Sequence, residues 1–79
     1  MKYVVVRNEL GEEVPLLFRE TINHSTVQKF GRDHESVSAG FALVRDGKWE
    51  AFGRSVSLNL KSRPKEDSAL LNEHFRECI

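Results

Sequence analysis

Two side chains of ligand and nucleophile type, His74 and Cys78, stand four residues apart. On a helix that spacing puts both on one face. Such a pair can bind a metal, but a structural zinc site takes four ligands. The other histidines, His24 and His34, have no paired spacing with them. The pair therefore reads as part of an apolar helix stripe, with no metal and no cofactor expected. Arg32-Asp33-His34-Glu35 sets an imidazole among carboxylates, the ingredients of an acid–base pair. Nothing beside it marks a nucleophile or an oxyanion hole, so it reads as a solvated polar loop. Gly31, Gly40, Gly47 and Gly53 are scattered and form no phosphate cradle. Asn23-His24-Ser25 fits the glycosylation pattern but reads better as a helix cap. No catalytic set emerges, and the expectation is a protein that is not an enzyme.

The charges balance, 12 basic against 12 acidic, but unevenly along the chain. Residues 8–20 carry Glu9, Glu12, Glu13 and Glu20 against Arg19, a local balance of −3. Residues 51–65 carry Arg54, Lys61, Arg63 and Lys65 with no acid, a balance of +4. Residues 66–79 return to −3. With Ser55, Ser57, Asn59 and Ser62, the four cations could hold an anion or a phosphate backbone, aided by a helix start near Pro64. Stacking aromatics are nearly absent there, and net charge is zero. Weak nucleic-acid or anion binding by Arg54, Lys61, Arg63 and Lys65 is thus the alternative function.

The elements that must carry these groups follow from periodicity. A chain of 79 residues makes one small domain, 1–79, with a narrow stability margin. Lys2 to Arg7 reads as a strand whose four consecutive apolar residues, Tyr3 to Val6, need cover on both faces. Asn8 to Glu12 reads as a turn and Glu13 to Glu20 as the return strand, placed at a sheet edge by Pro15. Ser25 with Gln28 matches a capping box for a short helix over about Thr26 to Phe30, ended by Gly31, with Val27 and Phe30 inward.

The clearest signal is Asp46-Gly47 between two alternating runs, the favoured two-residue hairpin turn. Counting from it sets Val44 opposite Trp49, Leu43 opposite Glu50, Ala42 opposite Ala51 and Phe41 opposite Phe52. One face then carries Val37, Ala39, Phe41, Leu43 and Phe52 and is assigned to the core. The other carries Gly40, Ala42, Val44, Trp49, Ala51 and Gly53. Residues 53–62 continue past a bulge or restart as a fifth strand. Pro64 opens a helix to about Glu77, with Leu71, Phe75 and Cys78 in its stripe, flanked by Leu70 and His74. The expected fold is α+β: a mostly antiparallel four- to five-stranded sheet, in the order β-β-α-β-β-α, with the C-terminal helix packed on one face.

One long and one short helix provide little cover for two sheet faces. The face of Ala42, Val44, Trp49 and Ala51 is therefore the expected partner-binding surface, for another protein or for self-association. No small-molecule substrate is evident. No apolar run approaches the length of a membrane span, and Met1 to Arg7 is too short and too soon charged for a signal peptide. A single cysteine forms no internal disulfide, which fits a reducing cytoplasm. Ser38-Ala39-Gly40-Phe41, and above all the run Gly53-Arg54-Ser55-Val56-Ser57-Leu58-Asn59-Leu60-Lys61-Ser62-Arg63-Pro64, resembles small proteins encoded by bacteriophages and prophages. The resemblance implies a bacterial cytoplasmic setting and a host or phage protein as partner. It implies no catalytic residue.

Overall fold

Tyr3 to Val6 can be buried only in a strand flanked and covered on every side, and β1 (Lys2–Arg7) occupies that position. The computed structural model describes residues 1–28 and 34–76, with only the backbone of Ser25 and Gln28. β1 lies between antiparallel neighbours β2 (Glu13–Phe18) and β3 (Glu35–Arg45). β4 (Lys48–Phe52) completes a sheet in the order β2-β1-β3-β4. Tyr3, Val4, Val5 and Val6 are all buried. β2 is an edge strand, where the missing N–H of Pro15 breaks no ladder. β3 and β4 pair in the register set by Asp46-Gly47, with Phe41 opposite Phe52 and Val44 opposite Trp49. Both turn residues take positive φ, 53° and 75°.

The last helix, α2 (Pro64–Phe75), covers the face built by Tyr3, Val5, Ala42, Trp49 and Ala51. Leu71 is fully buried against it, and Leu70 and Phe75 pack at its margin. α2 also closes the outer edge of β4. Trp49 N donates to Asn72 Oδ1 (2.8 Å), Ala51 N to Ser68 Oγ (2.9 Å), and Asn72 Nδ2 to Trp49 O (3.0 Å). These are the backbone groups a bare edge would offer to another strand. The indole Nε1 of Trp49 donates to Phe75 O at 3.1 Å.

The face expected to be open is therefore buried, and the face assigned to the core is buried only in part, with Ala39 fully buried as expected. Ala42, Trp49 and Ala51, expected to form an open docking surface, are core residues under α2, and only Val44 of that set stays exposed. Phe41 and Leu43, assigned to the core, are half-buried, and Phe52 is 45% exposed. The physical reason lies in the small side chains. A face floored by alanines lets a helix approach closely, and its shallow relief is filled by the helix's own leucines.

Shorter elements cover the second face. α1 (His24–Gln28) contributes Val27. A two-stranded sheet of β5 (Arg54–Ser55) and β6 (Leu60–Lys61) contributes Leu60, and its turn contributes Leu58. These pack on Val4, Val6, Phe18 and Ala39. Residues 53–62 thus form a separate hairpin rather than a fifth strand of the main sheet. Gly53, at φ 76°, turns the chain out of β4. Asn59, at φ 53°, shapes the return. Gly40 lets the turn at Gly53 come close, since a Cβ there would lie 2.5 Å from the Phe52 carbonyl oxygen. The α+β class and the C-terminal helix on one face hold, while the expected order gains the extra hairpin. α1 starts at His24, so Ser25 sits inside the helix rather than at its cap. The expected roles of Phe30, Gly31, Asp33 and Cys78 fall outside the described residues.

A buried polar network ties α2 to the sheet. Asp67 is fully buried and accepts from Tyr3 Oη, Arg63 N (2.8 Å) and Arg63 Nε (3.1 Å). Arg63 also donates two hydrogen bonds to Glu13 of β2, at 2.9 and 3.2 Å. Glu13 in turn accepts from Arg7 at 3.0 Å. Burial, reinforced by the Asp67 carboxylate, pushes the Tyr3 phenol far above its ordinary range.

Candidate interaction groove

An open groove of about 640 Å³ runs over the second face, between the start of α1 and the 54–61 hairpin. Its floor is the cross-strand pair Phe41 and Phe52, stacked with ring centroids 5.9 Å apart and planes 29° from parallel. Period-two alternation turns both rings to the same side, and the two-residue turn fixes them opposite each other. Val56, 81% exposed in the hairpin turn, lines one wall. Lys2 and the exposed Arg54 also line it, with no aspartate or glutamate among the described lining residues. Such a cleft suits an apolar group carried next to negative charge.

His24 holds the groove's inner side. It is 4% exposed, edge-on to Phe41 at 6.0 Å and to Phe18 at 5.3 Å. Its Nε2 lies 2.9 Å from Gly40 O. A carbonyl only accepts, so Nε2 carries the hydrogen. Burial holds the His24 pKa below that of an ordinary imidazole, and Lys2 adds to the effect. The ring is thus a neutral strut between α1 and β3. Lys2 Nζ donates to Ile22 O at 3.2 Å, which holds its stem beside the floor.

The basic segment is divided by the fold. Arg63 is engaged by Glu13 and Asp67, so it leaves the expected anion-binding set. Its hydrogen bonds to Glu13 raise its own pKa and hold the Glu13 carboxyl below the usual carboxylate range. Arg54 and Lys61 face each other across the β5–β6 ladder. Neither they nor the exposed Lys65 form an ion pair among the described residues.

Other expected chemistry is dispersed. His34 is exposed, and Glu35 beside it accepts from Arg7 at 3.0 Å. His74 is exposed rather than part of the packed stripe. Among the described residues no three His, Cys, Asp or Glu side chains converge as metal ligands. None of the described helices is long and apolar enough to cross a membrane. A second, smaller cleft of about 410 Å³ is lined by Gly47, Lys48, Asn72, Glu73 and Arg76, two cations and one carboxylate.

The groove was half legible. The pairing of Phe41 with Phe52 follows from the turn, but both rings read as core. His24 read as part of a cap, and no local signal in the sequence marks its burial against Gly40. No protein-family model matches the chain, and neither a curated protein nor a solved structure matches it.

Proposed function

We propose that this protein is a small non-enzymatic interaction module that binds a protein segment in the groove over Phe41 and Phe52. The observation that carries the reading is the partly exposed aromatic floor bordered by Lys2 and Arg54, without a carboxylate among the described lining residues. An apolar side chain of the partner lies on the stacked rings, and acidic neighbours face the two cations. Aromatic floors of this kind supply most of the binding energy in small interfaces, while rim charges set orientation and encounter rate. Taken with the resemblance of residues 53–64, the partner is a bacterial or phage protein.

The test is an NMR titration of the labelled protein with the peptide acetyl-Asp-Glu-Leu-Phe-Glu-Asp-amide. Shifts confined to residues 23–24, 41 and 52–57, and lost in Phe52→Ser, are expected. Shifts centred on α2, or unchanged by Phe52→Ser, refute the assignment.

A second reading has its own observation. Like charges set opposite each other in a ladder repel, and a bound anion relieves the repulsion. Arg54 and Lys61 are so placed, with Lys65 as a third cation. Binding of oligo-dT that weakens steeply with salt supports it, and no affinity at low salt removes it.

A further inference from the structure

Resting on the groove reading, we propose that its occupant is the Asn8–Glu12 turn of a second copy of this chain. Leu10, at the tip of that turn, is 83% exposed, the most exposed of the large apolar side chains among the described residues. It stands between Glu9 and Glu12, both exposed, and no basic residue lies within residues 8–12. An apolar side chain between two carboxylates is the chemistry that the cation-bordered aromatic floor accepts.

The turn is also rigid. Asn8 Oδ1 accepts from Leu10 N (3.0 Å) and Glu12 N (2.9 Å). Asn8 N donates to Glu12 O at 2.9 Å, and Gly11 N to Asn8 O at 3.0 Å. A loop already fixed in shape loses little conformational freedom when it docks.

The geometry excludes docking within one molecule. The turn follows Arg7 at one end of β1, whereas the groove is lined by Lys2 at the other. Five residue steps along a strand separate them by roughly 17 Å. Groove and turn are therefore different patches at opposite ends, and a single turn-in-groove contact between copies is head-to-tail. Such contacts leave a free turn and a free groove at the ends and continue to longer species. A contact this small is weak, below the roughly 1,200 Å² of a stable interface, so association belongs to high protein concentration.

Analytical ultracentrifugation over a concentration series tests the proposal with two exposed-site variants. Wild type should rise in mean mass beyond two chains at high concentration, and less so as salt rises. Leu10→Ser should weaken association by roughly 10- to 100-fold, the equivalent of one buried leucine. Arg54→Glu should weaken it as well. The decisive sample is an equimolar mixture. The intact groove of Leu10→Ser accepts the intact turn of Arg54→Glu, so the mixture should form pairs and stop at two chains. A wild type that stays monomeric throughout, or a mixture that stays monomeric while wild type associates, overturns the proposal. If wild type is monomeric yet the acidic hexapeptide still shifts the groove, self-docking fails and the groove reading stands. If neither binds, both fail.

Discussion

Replacing Asp67 by alanine removes a fully buried carboxylate that holds three donors from two distant parts of the chain. Tyr3 Oη, 64 residues away in sequence, loses its acceptor. So does the backbone N–H of Arg63, which opens α2. Breaking a buried charged pair from one side costs about 3–5 kcal/mol, because the remaining partner is left uncompensated. Arg63 retains Glu13, which places the expected loss at about 3 kcal/mol. A domain of this size has roughly 4–12 kcal/mol in total, so the variant should be folded but fragile. Tyr3→Phe deletes only the hydroxyl and should lose about 1.5–3 kcal/mol, the worth of a hydrogen bond to a charged group. Urea unfolding followed by Trp49 emission measures both, since the ring moves from beneath α2 into water. In the double variant the losses should be clearly less than additive, because both act on one contact. A loss under about 1 kcal/mol for Asp67→Ala, or strict additivity with Tyr3→Phe, refutes the role assigned to the network.

Three further outcomes follow from the same packing. The lowered pKa of His24 means that the unfolded chain binds the extra proton, so its contribution is complete above about pH 6.5 and is lost as pH falls through the folded value. The lowered pKa of Glu13 adds a second loss below about pH 4.5, so the urea midpoint should decline from neutral pH downward, and His24→Phe should flatten the first part. Gly40→Ala should cost about 1–3 kcal/mol or more, because the Phe52 carbonyl that its Cβ meets is backbone and cannot swing aside; a thermal midpoint within error of wild type contradicts this. Ser38 Oγ is buried with no hydrogen-bond partner, so Ser38→Ala should stabilise by about 1 kcal/mol, visible as a rise in the thermal midpoint.

Local features were legible where the chain's own chemistry decides them. Asp46-Gly47 fixed the pairing of Phe41 with Phe52, Pro15 marked the edge strand, and the run Tyr3 to Val6 marked the strand covered on both faces. The choice of face was not legible, because bulk is a poor guide to burial. Phe52 is large and half-exposed, whereas Ala42 and Ala51 are small and lie under a helix. Asn59 carried a turn signal for the 54–61 hairpin, since asparagine tolerates positive φ, but the alternation of Val56, Leu58 and Leu60 masked it. Asp67 lies in the first turn of α2, where an acidic residue is ordinary, and the hydroxyl that satisfies it in the core belongs to Tyr3 at the far end of the chain. Arg63 looked like one of four free cations, and the partner that occupies it, Glu13, lies 50 residues earlier. Such long-range partners leave no local pattern.

Which face of the sheet is open underlies both the groove and its proposed occupant. Paramagnetic relaxation by a neutral gadolinium chelate, read on the aromatic protons, measures this directly. The Phe52 ring should relax strongly and the Trp49 indole should be protected beneath α2. Strong relaxation of Trp49 with a protected Phe52 would place the helix on the other face and remove the groove.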